Sequence, residues 1–181
     1  MVSNGRTRSP AATDLVKGLA AGLIGGLVAS WTMNQFQALT TKLAEEMEKS
    51  QGGKKKQEAQ KKEGDDATVK AASAISEGLF DHKLTKSEKK VAGPAVHYAL
   101  GTLTGGLYGA AAELAPIISS GVGLPFGAVF WLAADEAAVP ALGLSKAPTE
   151  YPLSTHAYAL ASHFVYGLTT DIVRRAVRRA L

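Results

Sequence analysis

Seven ionisable side chains, His97, Glu113, Asp135, Glu136, His156, His163 and Asp171, stand within or at the edges of long uncharged stretches of this 181-residue chain. A histidine beside a carboxylate changes charge near neutrality, because burial and a neighbouring acid move its proton affinity in opposite senses. His97, Asp135, Glu136, His156 and His163 are therefore the candidate proton-responsive or ion site. The plain alternative is a satisfied structural ion pair holding three helices together. Glu113 and Asp171 fall at the opposite end and are expected to snorkel or cap. Metal chemistry is less well supported. His156 and His163 are seven residues apart, ~10 Å along a helix, whereas ligating atoms lie ~2.0–2.2 Å from one ion, so the two cannot easily share it. His97, Asp135 or Glu136, and His156 would make a reasonable nitrogen and oxygen set, but no His-Glu-x-x-His spacing is present. Neither metal nor other cofactor is expected, and without a nucleophile or phosphate loop the chain does not read as an enzyme.

The elements that must position these groups follow from where charge is missing. Of the 36 Lys, Arg, Asp and Glu residues, 22 fall in Lys42 to Lys90. The remainder holds four uncharged runs, Gly18 to Thr41, Val91 to Ala112, Leu114 to Ala134 and Tyr151 to Thr170. Each is long enough to cross ~30 Å of hydrocarbon at ~1.5 Å per residue. They are rich in Ala, Leu and Gly without alternation, which argues for helices over strands. The expected fold class is all-α, an integral membrane helical bundle of three or four transmembrane helices; the fourth run is the most polar. Arg6, Arg8 and Lys17 before the first run, with Val28-Ala29-Ser30 within it, loosely fit a signal peptide. The uncharged run continues past that site through Trp31, Met33 and Phe36, which favours a retained anchor. There is no cysteine, hence no disulfide framework or thiolate metal site.

Membrane helices associate by close backbone approach, and small residues four apart are the usual sign. Gly18, Gly22 and Gly26 form such a stripe in the first run, Gly101, Gly105 and Gly109 in the second, and Gly123 and Gly127 in the third. Ala159, His163 and Gly167 do so in the fourth. These are expected to pack helices within the chain, to drive a homo-oligomer, or both.

The chain divides into an N-terminal segment with the first span (1–41), a charged solvated insert (42–90), and a membrane region with two or three further helices and a basic tail (91–181). Glu45 to Lys49 should extend the first helix, and Gly52-Gly53 with Lys54-Lys55-Lys56 reads as a linker too poor in apolar residues to build a core. Val69, Ala72, Ile75 and Leu79 recur at helical spacing, as in a helix lying on a membrane. Thr85-Lys-Ser-Glu88 fits a capping box, so the second span should begin near Lys86, with Pro94 bending or restarting it. Expected partners are the lipid bilayer, a second copy of the chain, and an anionic lipid or soluble protein at the insert; interleaved acids argue against nucleic acid. Four spans put 13 positive residues on the insert side against 7 on the other, favouring a cytoplasmic insert. Three spans would also bring the Arg174 to Arg179 tail inside.

The stretch Trp131-Leu-Ala-Ala-Asp135-Glu136-Ala-Ala-Val-Pro140-Ala-Leu-Gly143, followed by a proline-containing loop, His156, Ser162-His163 and Tyr166-Gly167, resembles the bacterial YagU-like inner-membrane family. His97 and Tyr108-Gly109 in the Gly-rich second run add to the resemblance, which covers roughly 94–167. It implies a small multi-pass protein of a bacterial inner membrane, associated through the family's namesake with acid resistance. The charged insert is peculiar to this chain.

Overall fold

A computed structural model describes residues 10–50 and 65–181. The described residues are helical, with no strand among them. Helix α1 runs over Pro10–Ser50, α2 over Ala67–Phe80, α3 over Lys86–Leu114 and α4 over Leu124–Trp131, and α5 over Leu153–Ala180. Beyond Trp131 the fourth helix continues as a π-helical stretch, Leu132–Ala138, and a last α turn, Val139–Ala141. The lysine run Lys54-Lys55-Lys56 lies outside the described residues.

Local chemistry sets the boundaries. Asp66 caps α2 by accepting from the Val69 amide at 2.9 Å. At the head of α3, Thr85 and Glu88 form a reciprocal capping box, with the Thr85 amide donating to Glu88 at 2.7 Å. Hydrogen bonds from the Thr85 amide and hydroxyl, with help from His82, hold the Glu88 carboxyl below the usual range. Pro94 does not interrupt α3. Gly123 enters α4 at φ 78°, a left-handed conformation that glycine adopts without a Cβ penalty. Pro140 accounts for the π turn: it has no amide to give the Glu136 carbonyl and its ring would collide with it. The helix widens instead, and the Val139 amide reaches back five residues to the Ala134 carbonyl.

The glycine stripes fix how the helices lie. A Cβ on Gly18 would strike the Gly109 carbonyl, one on Gly22 that of Gly105, and one on Gly26 that of Gly101. Numbers rise along α1 as they fall along α3, so the pair is antiparallel with backbones in contact. The same holds for α4 and α5, where Gly123 meets the Gly167 carbonyl and Gly127 that of His163. Helix α1 also packs along α5, with Gly25 against the Thr170 carbonyl and Phe36 stacked 6.4 Å from Tyr158. The result is an up-and-down arrangement of four helices. Helix α2 rests on α3, Val69 filling the space over Gly93. Of its apolar side chains Ala72 is buried, while Ile75, Leu79 and Phe80 are exposed.

Around a core of Met33, Tyr166, Phe126 and Phe130 the buried positions are mostly small or polar, while many large apolar side chains face outward. Ala21, Ala29, Ser30, Ser162 and Thr170 are fully buried, whereas Leu103 and Leu107 are 60% and 69% exposed. One helix among the described residues, α1, is long and apolar enough to cross a membrane, over Ala11–Met47.

Candidate functional site

At the end of the bundle where α1 finishes and α3 begins, the π-helical stretch of the fourth helix faces the first turns of α5. Between them lies a cleft of about 280 Å³ lined by Asp135, Glu136, Pro140, Lys146, Tyr151 and His156, with Ala67 of α2 at its edge. π turns are enriched at functional positions because the widened turn redirects side chains. Here it carries both acids.

His156 Nδ1 lies 2.6 Å from Glu136 Oε1, and its Nε2 lies 3.1 Å from the Pro148 carbonyl oxygen. Both ring nitrogens therefore face oxygens. A neutral imidazole has one donor and one acceptor, so it cannot satisfy two acceptors at once. The contact is satisfied only when the pair holds a proton beyond neutral imidazole and carboxylate. Either an imidazolium donates to the carboxylate, or a carboxylic acid donates to the imidazole. His156–Glu136 is thus a proton-holding pair, with the glutamate side chain 16% and the histidine 21% exposed.

Two turns deeper, His163 is buried on α5, donating from Nδ1 to the Ala159 carbonyl at 2.9 Å and set edge-on to Phe130 with centroids 5.3 Å apart. Asp135 Oδ2 lies 3.7 Å from the same nitrogen, a charge contact and not a hydrogen bond. From α3, His97 lies within electrostatic reach of Asp135 and His163, and its Nε2 is buried without a partner among the described residues. Sequence spacing grouped His97, Asp135, Glu136 and His156 in one layer with His163 below. The structure divides them differently, into Glu136 with His156 at the mouth and Asp135, His163 and His97 behind. Asp135, expected to point inward, reaches buried His163 while 39% of its side chain stays exposed, and Glu136, expected to reach the interface, is 16% exposed and turned to His156. The π turn shifts the helical register on which the expectation for Glu136 rested.

Sequence reasoning missed a second polar cluster at the opposite end. Asp171 neither snorkels nor caps: it is completely buried, accepting from the Tyr108 hydroxyl at 3.0 Å, Arg174 at 3.1 Å and Arg175 at 2.7 Å. Arg178 bridges Glu113 at 3.0 Å and Asp14 at 2.7 Å, and Arg175 also donates to the Ser119 carbonyl at 2.6 Å. The signal was Asp171 placed three and four residues before Arg174 and Arg175, the helical spacing for ion pairs. This cluster ties α1, α3, α5 and the loop after α3 at one level. Every one of its acids is matched by an arginine.

Among the described residues no group of three or more His, Asp or Glu side chains is arranged to hold a metal ion. Neither the curated proteins nor the solved structures contain a match to this chain. A family model does match: it covers residues 73–172, from within α2 to just past Asp171, and so includes all five candidate site residues and the Tyr108–Asp171 contact. The chain belongs to the family described as protein of unknown function (DUF1440).

Proposed function

We propose that this chain is a multi-pass protein of a bacterial inner membrane, YagU-like in kind, that contributes to acid or envelope stress tolerance through a pH-responsive histidine and carboxylate layer. The observation that carries the reading is His156 held between two oxygen acceptors, Glu136 at 2.6 Å and the Pro148 carbonyl at 3.1 Å, at the mouth of a cleft. Such a pair must bind or release a proton as its surroundings change, and each change alters the attraction between the fourth helix and α5. Asp135, next to Glu136 and itself 3.7 Å from His163, feels that carboxylate's charge.

Support for the membrane comes from the inverted distribution of side chains. Leucines on the outside gain nothing from water, and a seam of glycine, alanine and serine suits helices that meet in lipid. The acid-tolerance part rests on the YagU-like resemblance together with the His–Glu pair. The bilayer is then the first partner. A homo-oligomer built on the glycine stripes is the weaker alternative, since those faces meet each other inside the chain. An anionic lipid or soluble protein at the insert remains compatible with either reading.

The test is acid challenge of cells depending on this chain, with His97→Ala, Asp135→Asn and His156→Gln compared at equal membrane abundance after carbonate extraction. The expected result is lost protection in His156→Gln and Asp135→Asn. Unchanged survival and unchanged stability of all three between about pH 5 and 8, where histidine titrates, refute the proposal.

A further inference from the structure

We infer that the histidine and carboxylate layer is a one-sided proton sensor and not a conduit: protons reach it from the insert side and go no further. This rests on the proposed membrane reading and adds direction to it. The cleft opens beside Ala67, Lys146 and Tyr151, at the end of the bundle where α1 leads into the insert. The titratable groups facing the layer all enter from that end. They are Asp66 at the head of α2, His97 on α3, Lys146 and Tyr151 in the loop before α5, and the four groups on the π turn and α5 themselves.

Behind His163 the path is closed by aromatic rings. Phe130 lies edge-on to His163 at 5.3 Å and 5.3 Å from Tyr166; Phe126 stacks 4.1 Å from Tyr108. Tyr108 and Tyr166 are 3% and 1% exposed. Beside the rings the backbones of α4 and α5 meet at Gly123 and Gly127, with no room there even for a Cβ.

The hydrogen bonds lead to the same conclusion. Proton transfer across a membrane needs a chain of groups that can each accept from one neighbour and donate to the next. Below the layer three side-chain donors among the described residues are committed to backbone carbonyls: His163 Nδ1 to that of Ala159, the Tyr166 hydroxyl to that of Gly101 at 2.6 Å, and Thr170 to that of Tyr166 at 2.8 Å. Backbone carbonyls accept but cannot pass a proton on. The next carboxylate, Asp171, is eight residues further along α5, ~12 Å, and its contacts are with Tyr108 and arginines of its own cluster. Two polar clusters thus share one helix, joined by aromatic contacts and not by a chain of side-chain hydrogen bonds among the described residues.

The experiment uses the full chain in phosphatidylethanolamine and phosphatidylglycerol vesicles. Trp31→Phe leaves Trp131, four residues before Asp135, as the sole tryptophan, and Lys70→Cys supplies the only cysteine, whose labelling by a membrane-impermeant maleimide reports which way the insert faces. The pH is then stepped on one side at a time. Trp131 emission that follows pH on the insert side alone, with proton flux no greater than in protein-free vesicles, supports the inference. Emission that follows the opposite side, or flux that disappears in Asp135→Asn, overturns it. An emission change on the insert side that persists in both His156→Gln and Asp135→Asn refutes the assigned layer but leaves the sidedness standing, so the two failures are distinguishable. No change on either side refutes the sensor outright.

Discussion

Replacing Asp171 by Asn removes the acid on which donors from α3 and α5 converge. The carboxylate is completely buried and takes three donors, from Tyr108, Arg174 and Arg175, and an amide can accept only at one atom while presenting N–H groups to guanidinium at the other. Removing one partner of a buried pair typically costs ~3–5 kcal/mol because the other charge is left uncompensated. Two details lower the figure here. Arg175 is 43% exposed, so water takes over its share, worth at most ~1 kcal/mol in such a setting. Arg174, 8% exposed, retains Glu113 at 3.8 Å. The net loss is then about 3 kcal/mol, which in a chain of this size lowers the unfolding temperature by ~6–12 °C. Thermal unfolding of the purified protein in mild detergent, followed by circular dichroism, measures it. Tyr108→Phe should cost less, ~1.5–3 kcal/mol for one hydrogen bond to a charged group, and very little when Asp171 is already Asn. A fall of under ~3 °C in Asp171→Asn, or full additivity of the two changes, refutes the view that the cluster clamps the bundle.

Two further outcomes follow from the helix contacts and the cap. Gly22→Leu places carbon where the Gly105 carbonyl stands and should destabilise by ~1–3 kcal/mol or more, whereas Gly78→Ala, with nothing within 4 Å, should stabilise α2 by ~0.5–1 kcal/mol; equal unfolding temperatures for the two variants refute the close-approach argument. Because Glu88 is held below its ordinary range when folded, its cap is fully present above the usual glutamate range and is lost as pH falls through the lowered value. The chemical shift of the Thr85 amide should record that loss in the native chain and stay flat in Glu88→Gln.

Much of the helical skeleton was legible because its signals are local. The Thr85–Glu88 box starts α3 at Lys86, as its spacing required, and Val69 and Ala72 mark α2 as a helix. Glycines four apart showed where backbones could meet, though only the structure gives the partners, Gly22 with Gly105 and Gly123 with Gly167. The site was less legible for a physical reason. Depth was reckoned at a constant rise and rotation per residue, and Pro140 breaks that assumption in the turn that carries Asp135 and Glu136. The resulting register change turned Glu136 to His156 and left Asp135 beside His163. Asp171 was misplaced because an acid near a helix end ordinarily escapes to the surface, unless arginines one turn along follow it inward, as Arg174 does.

The family match begins at residue 73, yet the glycine face of α3 at 101, 105 and 109 is covered by α1, which precedes it. The matched stretch is therefore not self-sufficient. Cut free, it would present a bare trench of backbone with nothing to lie in it. The N-terminal helix works as a removable keel: severed from the rest between residues 50 and 65 and supplied as a separate chain, it should settle back into the same trench.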